Sequence, residues 1–182
     1  MPNTSDVLGS FAGATGVGAL CVLAMFLFFD GRASNLLPNV EAYAKTATWA
    51  IVAAVPVLAM SYIVGLLLIS GAESAVARTF GPTADVELAD LARVAKLPAK
   101  DSVAVQRFAQ LRQDRAILAG SAVALLLLAF GALSEIRNLP ELKTVIVCSA
   151  LVAILVAAAT FFAAAQKGIS AHLLAEALAQ IK

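Results

Sequence analysis

The sequence predicts an all-α integral membrane protein, built as a bundle of four transmembrane helices. Hydrophobic residues make up 61% of the 182 positions and charged residues only 14%. A soluble domain has about 45–50% apolar and about 25% charged residues, so this composition is typical of a protein surrounded by lipid. The charges are clustered and leave four stretches of the roughly 17–25 residues that a helix needs to cross a bilayer. We predict spans at about residues 7–29, 47–70, 116–135 and 144–166.

The composition of these stretches predicts helices rather than membrane β-strands. Alanine and leucine follow one another continuously, without the alternation that outer-membrane strands show. In lipid every backbone N–H and C=O must be satisfied, and a helix does so within one segment. We expect the first stretch to remain as a span, because residues 1–10 contain Asp6 and no Lys or Arg. A cleavable signal peptide begins with a basic region.

The distribution of basic residues predicts the orientation in the membrane. Segment 73–115, between spans two and three, holds seven Lys and Arg residues, and residues 167–182 hold two more. The two remaining connections together hold four. Because basic segments resist translocation, both termini and segment 73–115 are expected in the cytoplasm. We expect a multi-pass protein of the bacterial inner (plasma) membrane.

Segment 73–115 is predicted to form a cytoplasmic helical hairpin. Gly81-Pro82 ends span two, and a short helix is expected from Asp85 to Leu97, where Pro98 stops it. From Ser102 to Ser134 no residue breaks the helical pattern. We therefore expect one helix about 50 Å long, at ~1.5 Å per residue, whose first third projects beyond the membrane.

The tail, residues 167–182, is predicted to form an amphipathic helix after Gly168, with His172 on its polar side. Such a helix can lie on the membrane surface, bind a partner or pack against the hairpin. We expect it to pack against Phe108 and Leu111. The hairpin and the tail together are the predicted docking surface for a cytosolic protein, with contacts at Leu91, Val94, Phe108, Leu111, Arg112, Leu174 and Leu178.

Small residues at four-residue spacing in spans one and three predict close helix packing. Such spacing lets two helix backbones approach each other, because association in lipid depends on contact packing rather than on a hydrophobic drive. The interface is expected either within the four-helix bundle or between the subunits of a homo-oligomer. The predicted interface residues are Gly9, Gly13, Gly16, Gly120 and Ala124.

Pro56 lies in the middle of span two. Its ring removes a hydrogen bond to the carbonyl of Val52, which predicts a bend in the helix. A bent span is a candidate gate, although proline in membrane helices more often only shapes packing. Pro56 is therefore the candidate gate residue of the chain.

No catalytic, cofactor-binding or metal site is predicted. The uncharged core of each span lacks Asp, Glu, His, Lys and Arg, the groups that intramembrane catalysis or ion coupling requires. His172 is the only histidine, so one chain cannot form a site that needs several imidazoles. The net charge of +1 is typical of a protein that does not bind nucleic acid. Lipid is the one partner that the composition itself implies.

Two functions fit a membrane bundle of this composition. The first is a non-enzymatic inner-membrane subunit that anchors, senses for or regulates a cytosolic partner through segment 73–115 and the tail. The alternative is an oligomeric channel or membrane-permeabilising effector of a bacterial multi-gene system, for example a defence or toxin system. The channel has less support, because the spans contain no charged ring and no carbonyl filter. An intramembrane enzyme is disfavoured for want of reactive groups at depth.

Overall fold

The chain is described from a computed structural model, which covers residues 4–33, 47–80, 84–95, 102–137 and 139–180. Within these ranges it is helical and contains no strand. Two short 3₁₀ turns, Glu135–Arg137 and Pro140–Leu142, lie between the last two helices. The α-helices are α1 (Thr4–Ala33), α2 (Ala47–Phe80), α3 (Ala84–Ala95), α4 (Ser102–Ser134) and α5 (Lys143–Gln180).

Four of the described helices are long and apolar enough to cross a membrane. The qualifying segments are Gly9–Phe29 in α1, Ala54–Val76 in α2, Val103–Ser134 in α4 and Pro140–Leu178, which includes most of α5. The predicted all-helical bundle with four helices of spanning length and composition is therefore confirmed. Helix α4 runs unbroken from Ser102 to Ser134, as its sequence predicted.

Helix α4 lies at the centre of the bundle. It packs against α1, α2 and α5, and α1 also packs against α2. The short α3 packs against α5. A third of the apolar segment of α4 is buried, compared with 11% of those of α2 and α5. The two outer helices α2 and α5 therefore present most of their surface to lipid or to neighbouring molecules.

The interior of the spanning part is made of small side chains, and the large ones face outward. Leu67 and Leu155 are each 70% exposed. Small interior residues let helix backbones come close, which is the main source of helix association in lipid. The buried small residues include Ala14, Cys21, Ala24, Ala119, Ala122, Ala124, Ala129, Ala150, Ala157 and Ala164.

The closest approach joins α1 and α2. A Cβ atom added to Gly18 would overlap the carbonyl oxygen of Ser61, and one added to Gly65 would overlap the carbonyl oxygen of Ala14. Ser61 itself is 1% exposed. Helix α4 crosses α1 in a similar way, because a Cβ on Gly131 would lie 2.6 Å from the carbonyl oxygen of Ala24. Glycine is required at these crossings because backbone atoms occupy the space that a side chain would need.

The predicted interface residues occupy two different environments. A Cβ on Gly13 would lie 2.8 Å from Cδ1 of Ile117, and one on Gly120 would lie 2.7 Å from Cγ1 of Ile69. Ala124 is fully buried. Gly9 and Gly16 face open space, with nothing within 4 Å of an added Cβ. Gly13, Gly120 and Ala124 thus lie at contacts within the bundle, while a role for Gly9 and Gly16 between subunits stays a prediction.

The tail differs from the expected separate helix. Helix α5 continues through Gly168 to Gln180, so residues 168–180 extend the fourth span without a break. A glycine inside a helix costs only about 1 kcal/mol relative to alanine, and the packing of the neighbouring turns outweighs that cost. The predicted helix stops at Gly81-Pro82 and Pro98 lie outside the described residues.

Pro56 lies inside α2, which is assigned as one helix from Ala47 to Phe80. Every residue from 54 to 60 is exposed, so the side chains of this part of α2 lie outside the bundle interior. A role for Pro56 as a gate stays a prediction.

Cys21 is buried and Cys148 is exposed, and neither forms a disulfide.

Candidate functional site at the polar end

Most of the charged residues in the described part of the chain lie at one end of the bundle, which we call the polar end. It comprises residues 73–80 of α2, all of α3, residues 102–115 of α4 and residues 166–180 of α5. The uncharged stretches of these helices stop here. Charged side chains are costly in hydrocarbon, so we expect this end to lie outside the apolar layer of the bilayer.

An apolar cluster holds the helices of the polar end together. Val94 of α3, Phe108 and Leu111 of α4, and Ala171 and Ala175 of α5 are all buried in it. Leu174 packs against the cluster from α5. Phe108 and Leu111 are three positions apart in α4, and Ala171 and Ala175 are four apart in α5, so each pair lies on one face of its helix. The tail and the hairpin segment therefore share one small hydrophobic core.

The predicted docking residues do not form one exposed surface. Val94, Phe108 and Leu111 are no more than 8% exposed, so they contact their own chain, whereas Leu91 is 40% exposed. Leu174, Leu178 and Arg112 are half-buried. Their role in binding a partner stays a prediction, and in this conformation only part of the set can be reached from outside.

An open groove of about 540 Å³ runs between α3 and α4, and we call it the α3–α4 groove. Leu91 and Val105, about 40% exposed, lie in its apolar walls. At one edge of the groove Nη2 of Arg112 lies 3.7 Å from Oε1 of Glu73 in α2. The lining residues are Glu73, Leu91, Val94, Val105, Phe108, Ala109, Arg112, Gln113 and Ala116.

A buried charged cluster lies beside this groove, and we call it the Asp90 cluster. It consists of Asp90, Arg115 and His172, which come from three different helices. Asp90 and Arg115 are each 3% exposed. Nδ1 of His172 lies 2.7 Å from Oδ2 of Asp90. Because an ionised carboxylate only accepts hydrogen bonds, the imidazole is the donor in this contact.

The three residues of the Asp90 cluster line a small cavity of about 20 Å³. Asp90, Arg115 and His172 line it together with Phe108, Arg112, Gly168 and Ala171. A polar cavity of this size is large enough for one water molecule. The contact between His172 and Asp90 joins α5 to α3, and Arg115 of α4 lines the same cavity.

Gly168 leaves the space that the Arg115 side chain occupies. A Cβ added to Gly168 would lie 3.2 Å from Nε and 3.3 Å from Cζ of Arg115. We expect Gly168→Val to destabilise the protein by about 1–3 kcal/mol, because the buried guanidinium has little room to move. The measurement is the free energy of unfolding in bicelles.

Gly71→Val is the matched control for Gly168→Val, since Gly71 is also inside a helix but nothing lies within 4 Å of an added Cβ. Both variants replace glycine by valine inside a helix, so the change in helix propensity is the same. The difference between their free energies of unfolding therefore reports the steric contact with Arg115. If the two variants unfold with the same free energy, Arg115 is not confined by α5 as described.

The Asp90 cluster was not identified from the sequence, where His172 was expected on a polar helix face. His172 is half-buried, and its ring lies between Glu176 on its own helix face and Asp90, 82 positions away in sequence; the sequence did not indicate the second contact. One local signal was present. Asp90 and Val94 are four positions apart and so share a helix face, which puts a carboxylate on the face of α3 that packs against its neighbours.

A second cavity lies at the opposite end of the bundle, between α1 and α4. It has a volume of about 330 Å³ and an apolar lining of Ala24, Met25, Phe28, Phe29, Leu127, Phe130 and Gly131. Several of these residues are themselves exposed on the spanning part, as expected for a furrow filled by lipid chains.

Among the described residues no group of three or more His, Cys, Asp or Glu side chains is placed to hold a metal ion.

No family model matches the chain, and no curated protein or solved structure is significantly similar to it.

Proposed function

We propose that the protein is a non-enzymatic membrane subunit that anchors and regulates a soluble partner protein at its polar end. The observation that carries this proposal is the α3–α4 groove. Leu91 and Val105 are exposed there in a part of the chain that is otherwise rich in charge. Apolar side chains beside an ion pair, on a concave surface outside the membrane, are typical of a site for a protein helix.

The proposed orientation places the polar end in the cytoplasm of a bacterium, with the protein in the inner membrane. The excess of basic residues in segment 73–115 and the tail supports this orientation. A reporter enzyme that works only outside the cytoplasm, fused after Lys182, is expected to be inactive. The same reporter inserted at Leu139, between the last two spans, is expected to be active. The reverse pattern would overturn the orientation.

Site-specific photo-cross-linking in cells tests the proposed docking role. A photoreactive amino acid at Val105 is expected to cross-link one soluble protein. Introducing Leu91→Glu in the same chain should reduce that adduct at least tenfold, because a carboxylate in the apolar wall opposes binding. The same partner should then move from the membrane fraction to the soluble fraction.

A photoreactive amino acid at Leu155 is the control for this experiment. Leu155 is 70% exposed but lies in the spanning part of α5, where lipid surrounds it. It should give no soluble adduct. Docking at the groove is refuted if Val105 gives no adduct, or if its adduct is unchanged by Leu91→Glu.

The second candidate is an oligomeric channel or permeabilising effector, and the exposed glycines of α1 favour it. Gly9 and Gly16 leave open space on the outside of the bundle, which would let a helix of another subunit approach closely. For such an oligomer, Gly16→Leu should abolish both ion flux into liposomes and assembly. Absence of flux from the unmodified protein across all tested ions and voltages would remove the channel.

A further inference from the structure

Helix α3 depends on its neighbours for its position and its helical state. It has 12 residues, and helices shorter than about 12–15 residues are marginal in water on their own. Among its side chains that the structure describes, Asp90 and Val94 are the buried ones. Of the six α3 side chains that the structure describes, these two, four positions apart, make the buried contacts with the neighbouring helices.

The surface under α3, which we call the α3 seat, combines an apolar floor with one polar position. Phe108, Leu111, Ala171 and Ala175 form the floor that receives Val94. His172 is the polar position, 2.7 Å from the Asp90 carboxylate. The seat therefore fits a helix that carries a carboxylate and, one turn later, a small aliphatic side chain.

The α3 seat adjoins the α3–α4 groove. Val94 and Phe108 line the groove and also belong to the cluster between α3 and the rest of the polar end. A helix that enters the groove beside Leu91 therefore meets the edge of α3 first. If it bears the same two contacts as α3, it can compete with α3 for the seat.

We propose that the α3 seat recognises an amphipathic helix of the soluble partner, and that α3 occupies the seat in its place until the partner binds. The recognition element is a carboxylate for His172 followed, four residues later, by a small aliphatic side chain for the apolar floor. The inference rests on the proposed function and adds the chemistry of the partner segment. The guanidinium charge of Arg115, which lines the same small cavity as Asp90, and the way α3 itself sits in the seat both support an acidic helix over a basic one.

The probe is a fluorescent peptide with the sequence of residues 84–95, held helical by a side-chain cross-link between positions 89 and 92, which are exposed in α3. It is titrated against the full-length protein in nanodiscs. Val94→Asp in the protein releases its own α3, and this variant is expected to bind the peptide at least tenfold more tightly than the unmodified protein. A peptide carrying Asp90→Asn should bind the released variant at least tenfold more weakly, because the charged hydrogen bond to His172 is lost.

Ala92→Asp is the matched control in the protein, since it adds the same charge to an exposed position of the same helix. It should bind the peptide as weakly as the unmodified protein. Spin labels at Leu67 and Leu155 report whether the spanning part stays intact. If Val94→Asp disturbs that distance, Asp90→Asn in the protein replaces it as the variant that releases α3.

Three results would overturn the inference: no peptide binding to the released protein, equal binding to the released and Ala92→Asp proteins, or no effect of Asp90→Asn in the peptide. The proposed function fails separately. If Val105 forms an adduct but the peptide does not bind, docking at the groove stands and the α3 seat is not its recognition site. If the peptide binds but Val105 forms no adduct in cells, the groove is not the entry point for the partner.

Discussion

Gly18→Leu is expected to prevent α1 and α2 from packing together and to cost at least about 3 kcal/mol of unfolding free energy. The physical reason is that the leucine side chain would have to occupy the position of the Ser61 carbonyl and the Gly65 backbone. Overpacking in a tight core costs about 1–3 kcal/mol when neighbouring side chains can adjust. Here backbone atoms oppose the new side chain, so the helices themselves must separate.

Steric trapping in bicelles measures this unfolding free energy. Gly71→Leu is the control, because it places the same side chain inside α2 at a position where nothing lies within 4 Å of an added Cβ. Since glycine inside a helix is less favourable than other residues by roughly 0.5–1 kcal/mol, the control should be neutral or slightly stabilising. Equal stability of the two variants would contradict the crossing at Gly18.

The contact between Asp90 and His172 is expected to show a coupling energy of about 1.5–3 kcal/mol, the range of hydrogen bonds to charged groups. The reason is that the Asp90 side chain is only 4% exposed, so losing its imidazole donor leaves the carboxylate with less compensation for its burial. A double-mutant cycle with Asp90→Asn and His172→Gln isolates this term. Native-state hydrogen exchange of the α3 amides gives the free energy of local opening.

The Asp114–Lys167 pair is the internal control for that cycle. Nζ of Lys167 lies 3.0 Å from Oδ2 of Asp114, and the two side chains are 38% and 51% exposed. Exposed ion pairs contribute about 0–1 kcal/mol because water and salt screen them. A cycle with Asp114→Asn and Lys167→Gln should therefore give less coupling than the buried pair. If both cycles give the same small value, the Asp90 cluster does not hold α3.

The spans and the long central helix could be predicted because they depend on local composition. Uncharged runs of sufficient length are stable as helices in the hydrocarbon of a bilayer. Helix α4 contains no residue that stops a helix between Ser102 and Ser134. Which small residues meet could not be predicted. At about 100° per residue, Gly9 and Gly16 lie within about 20° of each other around α1, while Gly18 lies about 180° from Gly9. Several faces of α1 therefore carry small residues, and only the position of Gly65 on α2 decides which face is used.

The candidate site depends on contacts between distant parts of the chain. Asp90, Arg115 and His172 each have an ordinary local explanation as residues of a solvated helix face. Asp90 and Arg115 are buried and His172 is half-buried because α3 packs against α4 and α5, which no local pattern encodes. Gly168 is similar, since its sequence context suggests a helix end, whereas its actual role is to make room for a guanidinium.

The continuity of α5 gives the molecule a mechanical property. The helix has 38 residues and is about 57 Å long at ~1.5 Å per residue, so a single rod joins the turn before Lys143 to the surface beneath α3. A rotation of this rod by about 5° about one end moves the other end by about 5 Å, roughly one helical turn. A change in bilayer thickness or in a neighbour on the far face of the membrane would thus arrive at His172 as a lateral displacement, without any signal passing through a loop.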